Sequence, residues 1–368
     1  MRFMGGDYVE EAVTGCTAVL SSALERDWEQ VRAGGLDWDC RRTVAHIASD
    51  LLAYAGQLAG RAQDAYVPFE ITVDGSGHSL DRAGNTGLVQ VVETTGALFA
   101  ATLRTTPREV RAFHPYPFGS ADREGFAAMG VAEVLLHTHD LATGLGLPYE
   151  PPAHLAEAVL TRIFPHVRPG PDHWSTLLWA TGRGELPGRA RLTRWRWNNN
   201  LVLPAARLTL QGVTPAAAAD LRAGGDGGFE WVEDGPFEGT RDAAGMTVKA
   251  YESGVHRPEF GLFVLVRRED GRAVGGMGFH GAPDEDGRAE IGYDLAESVR
   301  GNGYATEALR ALADWALARD DVPSLFATVD RDNPPSQAVL GRAGFVRVGG
   351  DGVLEGVEEG LLAYELRG

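Results

Sequence analysis

A glycine-rich turn in the C-terminal half carries the clearest chemical signal in the 368-residue chain. The turn, residues 299–306, separates an alternating apolar run from residues with the spacing of an amphipathic helix. The first backbone N–H groups of a helix lack acceptors within it, and the helix dipole adds partial positive charge, so such a turn can bind phosphate. Gly301 and Gly303 allow close approach of the backbone, and Arg300 adds a formal charge. A helix that merely begins after a glycine turn is the other interpretation.

A second group of side chains suited to chemistry lies in the N-terminal half. Glu133 and His137 are four residues apart and leave the same face of a helix, while His46 lies in another helical pattern. Two imidazoles and a carboxylate from two helices would make a three-ligand site for a divalent cation with one open position, as in catalytic zinc sites. A common Glu/His pair beside a core histidine is the alternative, and the spacing alone does not decide.

Helical periodicity in the first half predicts elements that would position these ligands. Four long helices are expected in an up-down bundle, over residues 7–31, 40–62, 88–98 and 126–141. Residues 67–85 are rich in Gly, Pro and Asp, which predicts a long loop or a loop that carries a hairpin. Two shorter helices are predicted over 154–163 and 173–181, and Asn198-Asn199-Asn200 is the predicted linker.

The second half mixes both periodicities. Strands are predicted over 206–210, 261–267, 273–281, 288–295, 324–329, 345–348 and 361–366. Helices are predicted after Pro215 and over 241–253, 304–319 and 335–342. The glycine turn therefore lies between a strand and a helix.

Two motifs in this half resemble one known family. Residues 300–305 resemble the Arg/Gln-x-x-Gly-x-Gly/Ala acyl-CoA pyrophosphate loop of the GNAT acetyltransferase superfamily, matched by Arg300, Gly303 and Ala305. Residues 332–336 and 340–345 resemble the second CoA-contacting segment of the branch that contains ribosomal-protein acetyltransferases. The resemblance implies an α+β domain with a mixed central sheet over 206–368. It also implies an N-acetyltransferase that uses acetyl-CoA and acts on a small amine.

The same resemblance implies roles for individual residues. The cofactor would contact Leu295, Arg300, Gly301, Asn302, Gly303, Tyr304, Ala305, Thr306, Asn333 and Ser336. Glu290, on the strand before the turn, would accept the ammonium proton, although an exposed strand carboxylate without a role is a close alternative. The tyrosine that many relatives use as general acid is missing after Ser336, so the general acid is open between Ser336 and Tyr364.

Three segments of the first half resemble a different family. Asp37-Trp38-x-Cys40, residues 44–48 and residues 133–142 are similar to the DinB superfamily, specifically the N-terminal domain of mycothiol-dependent maleylpyruvate isomerases. The resemblance implies an all-α four-helix bundle over 1–200 that binds a divalent metal, with zinc expected, through His46, Glu133 and His137. Asp140 would accept a hydrogen bond from one imidazole. Such a metal would bind a low-molecular-weight thiol as thiolate.

Composition limits the partners. A net charge of −17 argues against nucleic acid or an anionic membrane as the main partner. The N-terminal residues lack a signal-peptide core and no apolar run is expected to reach membrane-spanning length, so a cytoplasmic location is predicted. Cys16 and Cys40 cannot form a disulfide framework. The sequence does not indicate an oligomeric state.

Three functions are open at this level. The first is an N-acetyltransferase whose helical half binds or modifies the substrate. The second is a metal- and thiol-dependent S-transferase or isomerase with an accessory CoA-binding module. The third is a non-enzymatic protein that sequesters a small molecule or confers self-resistance. The intact motif at Arg300–Ala305 favours the first, because a decayed module need not retain it.

Overall fold

The computed structural model describes residues 4–67, 79–107, 110–115, 120–164, 167, 170, 172–195, 201–348 and 360–368. The chain divides into two compact units, Arg2–Asn199 and Asn200–Gly368. The predicted linker Asn198-Asn199-Asn200 and residues 68–78 of the predicted loop lie outside the described residues.

The N-terminal unit is helical. Its helices are α1 (Gly6–Ser21), α2 (Cys40–Gly60), α3 (Ser79–Thr105), α4 (Arg123–Leu145), α5 (Ala153–Ile163) and α6 (His173–Ala180). Helices α1 and α2 each pack against α3 and α4, and α5 packs against α4 and α6. The predicted helical character is confirmed, whereas the DinB-like bundle stays a prediction.

Side-chain caps fix the first residues of the two helices that carry the candidate metal ligands. The Asp39 carboxylate accepts from the Arg42 N–H at 2.7 Å at the start of α2, and Asp122 accepts from the Gly125 N–H at 2.7 Å at the start of α4. Helix α4 is buried on nearly every side, from Phe126 to Leu136 and beyond, so it forms the centre of the unit.

Three elements of this unit differ from the prediction. Helix α1 ends at Ser21, because Ser22 donates to the Val19 carbonyl at 2.6 Å and the buried Trp28 belongs to the following turns. Helix α3 begins at Ser79, where a loop was expected; Gly84 interrupts it with φ +58°. A short antiparallel hairpin, β1 (Arg111–Phe113) and β2 (Ser120–Asp122), was not predicted.

Helix α3 also corrects the expectation about apolar length. Its Gly84–Thr105 portion is long and apolar enough to span a membrane, because Glu93 and Arg104 are its only charged residues. Half of its most apolar stretch is buried within the protein, and core helices of folded domains commonly pass the same test.

The C-terminal unit is built on an eight-stranded sheet. Its strands are β3 (Val202–Pro204), β4 (Leu208–Gly212), β5 (Leu262–Arg267), β6 (Ala273–Phe279), β7 (Arg288–Leu295), β8 (Ser324–Asp330), β9 (Val346–Val348) and β10 (Leu361–Arg367). Their order is β3-β4-β5-β6-β7-β8-β10-β9, and every neighbouring pair is antiparallel except β7 with β8. The predicted mixed sheet is confirmed; β3 was not predicted.

Within the described residues, four α-helices accompany this sheet: α7 (Pro215–Arg222), α8 (Glu238–Glu252), α9 (Tyr304–Leu317) and α10 (Pro334–Arg342). Helix α9 connects the parallel strands β7 and β8, as a parallel pair requires. Its apolar face is buried through residues that include Ala308, Leu312 and Trp315.

Strands β7 and β8 diverge along their length. Their pairing covers only Arg288–Glu290 of β7, opposite residues 324–326. Beyond that point Ile291–Leu295 pairs with β6 alone, while Ala327–Asp330 pairs with β10 alone. A gap therefore opens inside the sheet at the end of β7 that leads into the glycine turn.

Candidate active site

A cavity of about 370 Å³ lies at the divergence of β7 and β8. Residues 276–280 of β6 and its end, 291–294 of β7 and 327–330 of β8 line it. Helix α8 contributes Asp242 and Met246, among others, and the α10 region contributes Asn333 and Ser336. The cavity thus joins the open side of the sheet to two helices.

The wall of this cavity has a negative bias. Its charged or titratable lining residues include Asp242, Asp294, Asp330 and His280, and among the described lining residues none is Arg or Lys. The Asp294 carboxylate has a structural role. It accepts hydrogen bonds from the N–H of Thr240 at 2.8 Å, from the hydroxyl of Thr240 at 2.5 Å and from the N–H of Gly276 at 3.1 Å. These bonds hold α8 against β6 and β7.

The glycine turn has a left-handed backbone at two positions. Gly301 and Gly303 both have φ +79°, in the left-handed region that favours glycine. Gly303 is the cap residue of α9, and in the described chain no side chain caps that helix end. The Asn302 amide donates to the carbonyls of Val299 at 3.0 Å and Arg300 at 3.3 Å, which fixes the turn from inside.

The remaining residues of the turn that were predicted to contact the cofactor differ in solvent exposure. Tyr304, Ala305 and Thr306 are buried in the first turn of α9, so they offer a ligand their backbone N–H groups rather than their side chains. The Arg300 guanidinium is half-exposed, stacks 4.9 Å from the Phe237 ring centroid and donates through Nε to the Leu295 carbonyl at 3.1 Å.

Arg207 supports the turn and was not anticipated from the sequence. Its backbone N–H and its Nε donate to the two carboxylate oxygens of Glu307 at 2.6 and 2.7 Å, and Nη1 donates to the Asn302 carbonyl at 3.0 Å. The guanidinium also lies 4.7 Å from the Tyr304 ring centroid. Arg207, the residue before β4, therefore links that strand to both the turn and α9.

Glu290 belongs to a row of side chains across three strands. Its Oε2 lies 3.2 Å from His280 Nδ1, and Oε1 accepts from the Thr328 hydroxyl at 3.1 Å. The hydrogen bond to His280 holds the pKa of Glu290 below its usual value, and the same bond raises the pKa of His280. His280 and Thr328 line the cavity, but Glu290 is not among the lining residues.

Tyr293 is a cavity residue that sequence reasoning missed. Its hydroxyl donates to the Ser336 carbonyl at 3.1 Å and accepts from the Ser336 hydroxyl at 3.0 Å. Burial raises the pKa of Tyr293, so the phenol keeps its proton at neutral pH. The Asn333 side chain accepts from the Ser336 N–H at 3.2 Å and thereby caps α10.

Tyr364 does not line the cavity, although it lies near enough to Tyr293 to add to the raised pKa of that phenol. Tyr364 is 8% exposed on β10, opposite Ala327. Of the two predicted candidates for general acid, Ser336 thus lies in the cavity with Tyr293, and Tyr364 does not.

The three predicted metal ligands lie together in the helical unit. One nitrogen or oxygen atom of each of His46, Glu133 and His137 lies within 4.8 Å of the others. Glu133 Oε2 is 3.2 Å from His137 Nε2 and 3.7 Å from His46 Nε2. Burial acts to raise the pKa of Glu133, but hydrogen bonds from the two imidazoles outweigh it and lower this pKa to about 2.

A carboxylate and a guanidinium support His137 from its other side. His137 Nδ1 lies 3.0 Å from Asp140 Oδ2, and Asp140 accepts from Arg183 Nη2 at 2.9 Å. This arrangement directs Nε2 of His137 towards Glu133, as expected for a metal-binding histidine. His139 packs instead on the Trp174 ring at 5.7 Å.

The donor types suit a divalent cation, and the two distances from Glu133 are of the size that zinc requires. Ligands about 2.1 Å from a tetrahedral zinc ion lie about 3.4 Å apart. Asp50, which was not predicted, has Oδ2 at 3.3 Å from His46 Nε2. The Trp38 ring packs on His46 at 4.9 Å and covers the cluster on that side.

Comparison with known proteins identifies the class of the C-terminal unit. Residues 207–346 match the family model described as an acetyltransferase (GNAT) domain. This match supports the predicted GNAT-type domain in the C-terminal unit.

Individual relatives agree with this class. The chain is 40% identical over 87 residues to the uncharacterised N-acetyltransferase YjdG of Bacillus subtilis, a match that covers 24% of this chain and 52% of YjdG. The chain spans about half the length of the curated relatives it matches.

Solved structures give matches of low identity. A putative ribosomal-protein-serine acetyltransferase from Vibrio cholerae is 21% identical, with 46% of this chain and 98% of that chain covered and a TM-score of 0.34. RimL, a ribosomal L7/L12 α-N-protein acetyltransferase solved in complex with coenzyme A, is 19% identical, with coverages of 45% and 98% and a TM-score of 0.32.

Proposed function

We propose that the protein is an acetyl-CoA-dependent N-acetyltransferase that acts on a small amine. The divergence of β7 and β8 beside the glycine turn carries this proposal, because it supplies a phosphate-binding helix end next to a cavity of suitable size. The cofactor pyrophosphate would bind the N–H groups of residues 301–306, with Arg300 as a further cation. The pantetheine arm would lie in the gap, near Leu295, Asn333 and Ser336.

The charge of the cavity supports a cationic acceptor. Carboxylates at Asp242 and Asp330 face it, and no cationic side chain is present among the described lining residues, so an ammonium group is favoured over an anion. The wall also includes Met246 and Phe279, which suit an acceptor with an apolar portion.

Acetyl transfer needs three things from this site: proton removal from the amine, a fixed thioester and a proton for the leaving sulfur. Glu290, together with the neighbouring His280 and Thr328, would remove the proton from the amine. The amine nitrogen attacks the thioester carbon, the C–S bond breaks, and the thiolate takes a proton from the Tyr293–Ser336 pair. Tyr293 replaces Tyr364 in this role because it lies in the cavity.

Titration calorimetry with acetyl-CoA, followed by measurement of CoA release across a panel of small amines, tests the proposal. Micromolar acetyl-CoA binding and amine-dependent CoA release are expected. Binding without transfer to any amine or thiol would favour a sequestration role. Release that depends on a thiol rather than an amine would favour the S-transferase alternative.

We propose a second role for the helical unit, carried by the His46, Glu133 and His137 cluster and its Asp140–Arg183 support. These three side chains would hold a divalent cation, with zinc favoured by the imidazole-rich donor set. A cation there lowers the pKa of a bound water or thiol. The unit would then bind or modify the substrate, and a low-molecular-weight thiol is the alternative partner.

A further inference from the structure

Starting from the proposed acetyl transfer, we infer that His280 is the general base that takes the proton from the acceptor amine, and that Glu290 positions it. The assignment differs from a direct role for Glu290, which the sequence alone suggested. It predicts distinct effects for substitutions at the two positions.

Access to the cavity separates the two side chains. The two side chains are similarly exposed, 42% for His280 and 36% for Glu290, but only His280 lines the cavity. Both Glu290 oxygens are engaged, one with His280 Nδ1 at 3.2 Å and the other with the Thr328 hydroxyl at 3.1 Å. An amine in the cavity therefore meets the imidazole before it meets the carboxylate.

The backbone holds the imidazole in place. The His280 N–H donates to the Glu290 carbonyl at 3.0 Å, so the two residues are directly opposite on neighbouring strands and their side chains share one face of the sheet. A Cβ atom added at Gly292 would lie 2.7 Å from His280 Nε2. The imidazole thus lies over β7 at Gly292, where a side chain would force it to move.

This arrangement assigns the two ring nitrogens different tasks. Nδ1–H donates to the Glu290 carboxylate, which leaves the lone pair of Nε2 free to accept a proton. The ammonium form of the acceptor gives its first proton to Nε2, and that proton passes on to water. The freed nitrogen lone pair forms the bond to the thioester carbon. The proton that the nitrogen then releases restores the Tyr293–Ser336 pair, which has given its own proton to the leaving sulfur.

The charges around His280 suit a base that works near neutral pH. Glu290 on β7 is the charged group that faces it, Thr328 on β8 is neutral, and the hydrogen bond to Glu290 raises the pKa of His280 from 6.5. The pKa of Glu290 is held low, which makes that carboxylate the poorer base.

The test compares His280→Gln, Glu290→Gln and a matched control, Glu285→Gln, which removes an exposed carboxylate from the connection between β6 and β7. We expect His280→Gln to lower kcat/KM by about 10²-fold or more, with unchanged acetyl-CoA affinity. Glu290→Gln should lower it less and should move the acidic limb of the pH–rate profile to lower pH. Glu285→Gln should match the wild type.

NMR titration of the His280 ring in the wild type and in Glu290→Gln gives a readout independent of turnover. A lower imidazole pKa in the variant is expected. A larger rate loss in Glu290→Gln than in His280→Gln, or wild-type turnover in His280→Gln, would overturn the assignment and leave the acetyltransferase function standing. Failure of the wild type to bind acetyl-CoA would instead overturn both.

Discussion

The hydroxyl oxygens of Tyr293 and Ser336 lie 3.0 Å apart in the cavity beside the diverging strands. The serine donates to the phenol, and the phenol donates to the serine carbonyl, so the tyrosine proton points at a weak neutral acceptor. A thiolate that formed nearby would be a stronger acceptor for that proton. We propose that this pair takes the role of the tyrosine that is missing from α10.

The first prediction concerns this proton. Tyr293→Phe should lower kcat by about 10²-fold with little change in acetyl-CoA affinity, because a general acid acts in the transition state. Ser336→Ala should cost less, since the phenol keeps its own proton. Steady-state kinetics with a fixed amine measures both. A larger loss in Tyr364→Phe than in Tyr293→Phe would return the role to Tyr364.

A second prediction concerns the glycine turn. Gly303→Val should strongly weaken acetyl-CoA binding, because a β-branched residue both resists φ +79° and blocks the approach of the pyrophosphate. Gly254→Val is the control: Gly254 has φ +72° with open space around its Cβ, so it carries similar strain away from the turn. Calorimetry should show wild-type acetyl-CoA affinity for the control. Equal affinity in both folded variants would remove the turn from cofactor binding.

Arg207 gives a third prediction. Arg207→Met keeps the length of the side chain and the backbone N–H bond to Glu307, but removes the guanidinium bonds to Glu307 and to the Asn302 carbonyl. Loss of about 1 kcal/mol of support for the bound conformation would weaken acetyl-CoA binding roughly fivefold. Arg268→Met is the comparison. The backbone N–H of Arg268 donates to the Arg207 carbonyl, so the two basic residues are neighbours. A similar loss in both variants would mean that general positive charge, not the turn contact, matters.

The fourth prediction addresses the metal. Protein purified without chelator from medium that contains zinc should carry about one divalent ion per chain, measured by elemental analysis. Glu133→Ala should remove most of it, because Glu133 bridges both imidazoles, and acetyl-CoA affinity should stay unchanged. Glu11→Ala, which breaks the exposed Glu11–His154 pair, serves as the control. Metal-free wild type would favour a histidine-containing core that has kept the fold alone.

The start of α4, the helix that carries Glu133, gives a stability prediction. Arg162 Nη2 donates to Asp122 Oδ1 at 2.6 Å, and both side chains are buried. Asp122→Ala should lower the free energy of unfolding by about 3–5 kcal/mol, because it breaks a buried ion pair with Arg162 and removes the cap of α4. Asp172→Ala removes an exposed cap of α6 and should cost only about 1 kcal/mol. Chemical denaturation of both variants makes the comparison.

The pH dependence of this pair has a definite sign. Burial acts to raise the pKa of Asp122, but Arg162 and Arg111 outweigh it and lower the pKa. The pair therefore contributes stability above the pKa of an unfolded aspartate, and this contribution is lost as the pH falls through the lowered value. Asp122→Asn should flatten the acid side of the stability curve. An unchanged slope would mean that Asp122 does not govern it.

Local patterns predicted the strand, turn and helix that hold the cofactor motif, because the alternation of apolar residues and the helical spacing depend only on residues close together in the sequence. Strand β7 was predicted over 288–295 and α9 over 304–319, against Arg288–Leu295 and Tyr304–Leu317 in the structure. The spacing of Glu133 and His137 placed both on one helix face, and the family resemblance added His46; the structure brings the three side chains together. Their role as ligands stays a prediction.

Long-range partners explain what the sequence did not reveal. Tyr293 meets Ser336 across 43 positions and Arg207 meets Glu307 across 100, so no local pattern marks either. His280 reaches Glu290 only because β6 and β7 pair in one register. The start of α3 was missed because Gly and Asp residues gave its first turns the composition of a loop.

The early divergence of β7 and β8 makes the last residues of β7 an edge strand in the middle of a sheet. Since Glu290 and His280 form a hydrogen-bonded pair, the alternation along β7 turns the backbone N–H groups of Tyr293 and Leu295 away from β6. Such amides exchange with solvent deuterium faster than those of a strand paired on both sides. A pantetheine arm laid along β7 would act as its missing neighbour, and exchange at these two amides should slow when acetyl-CoA binds.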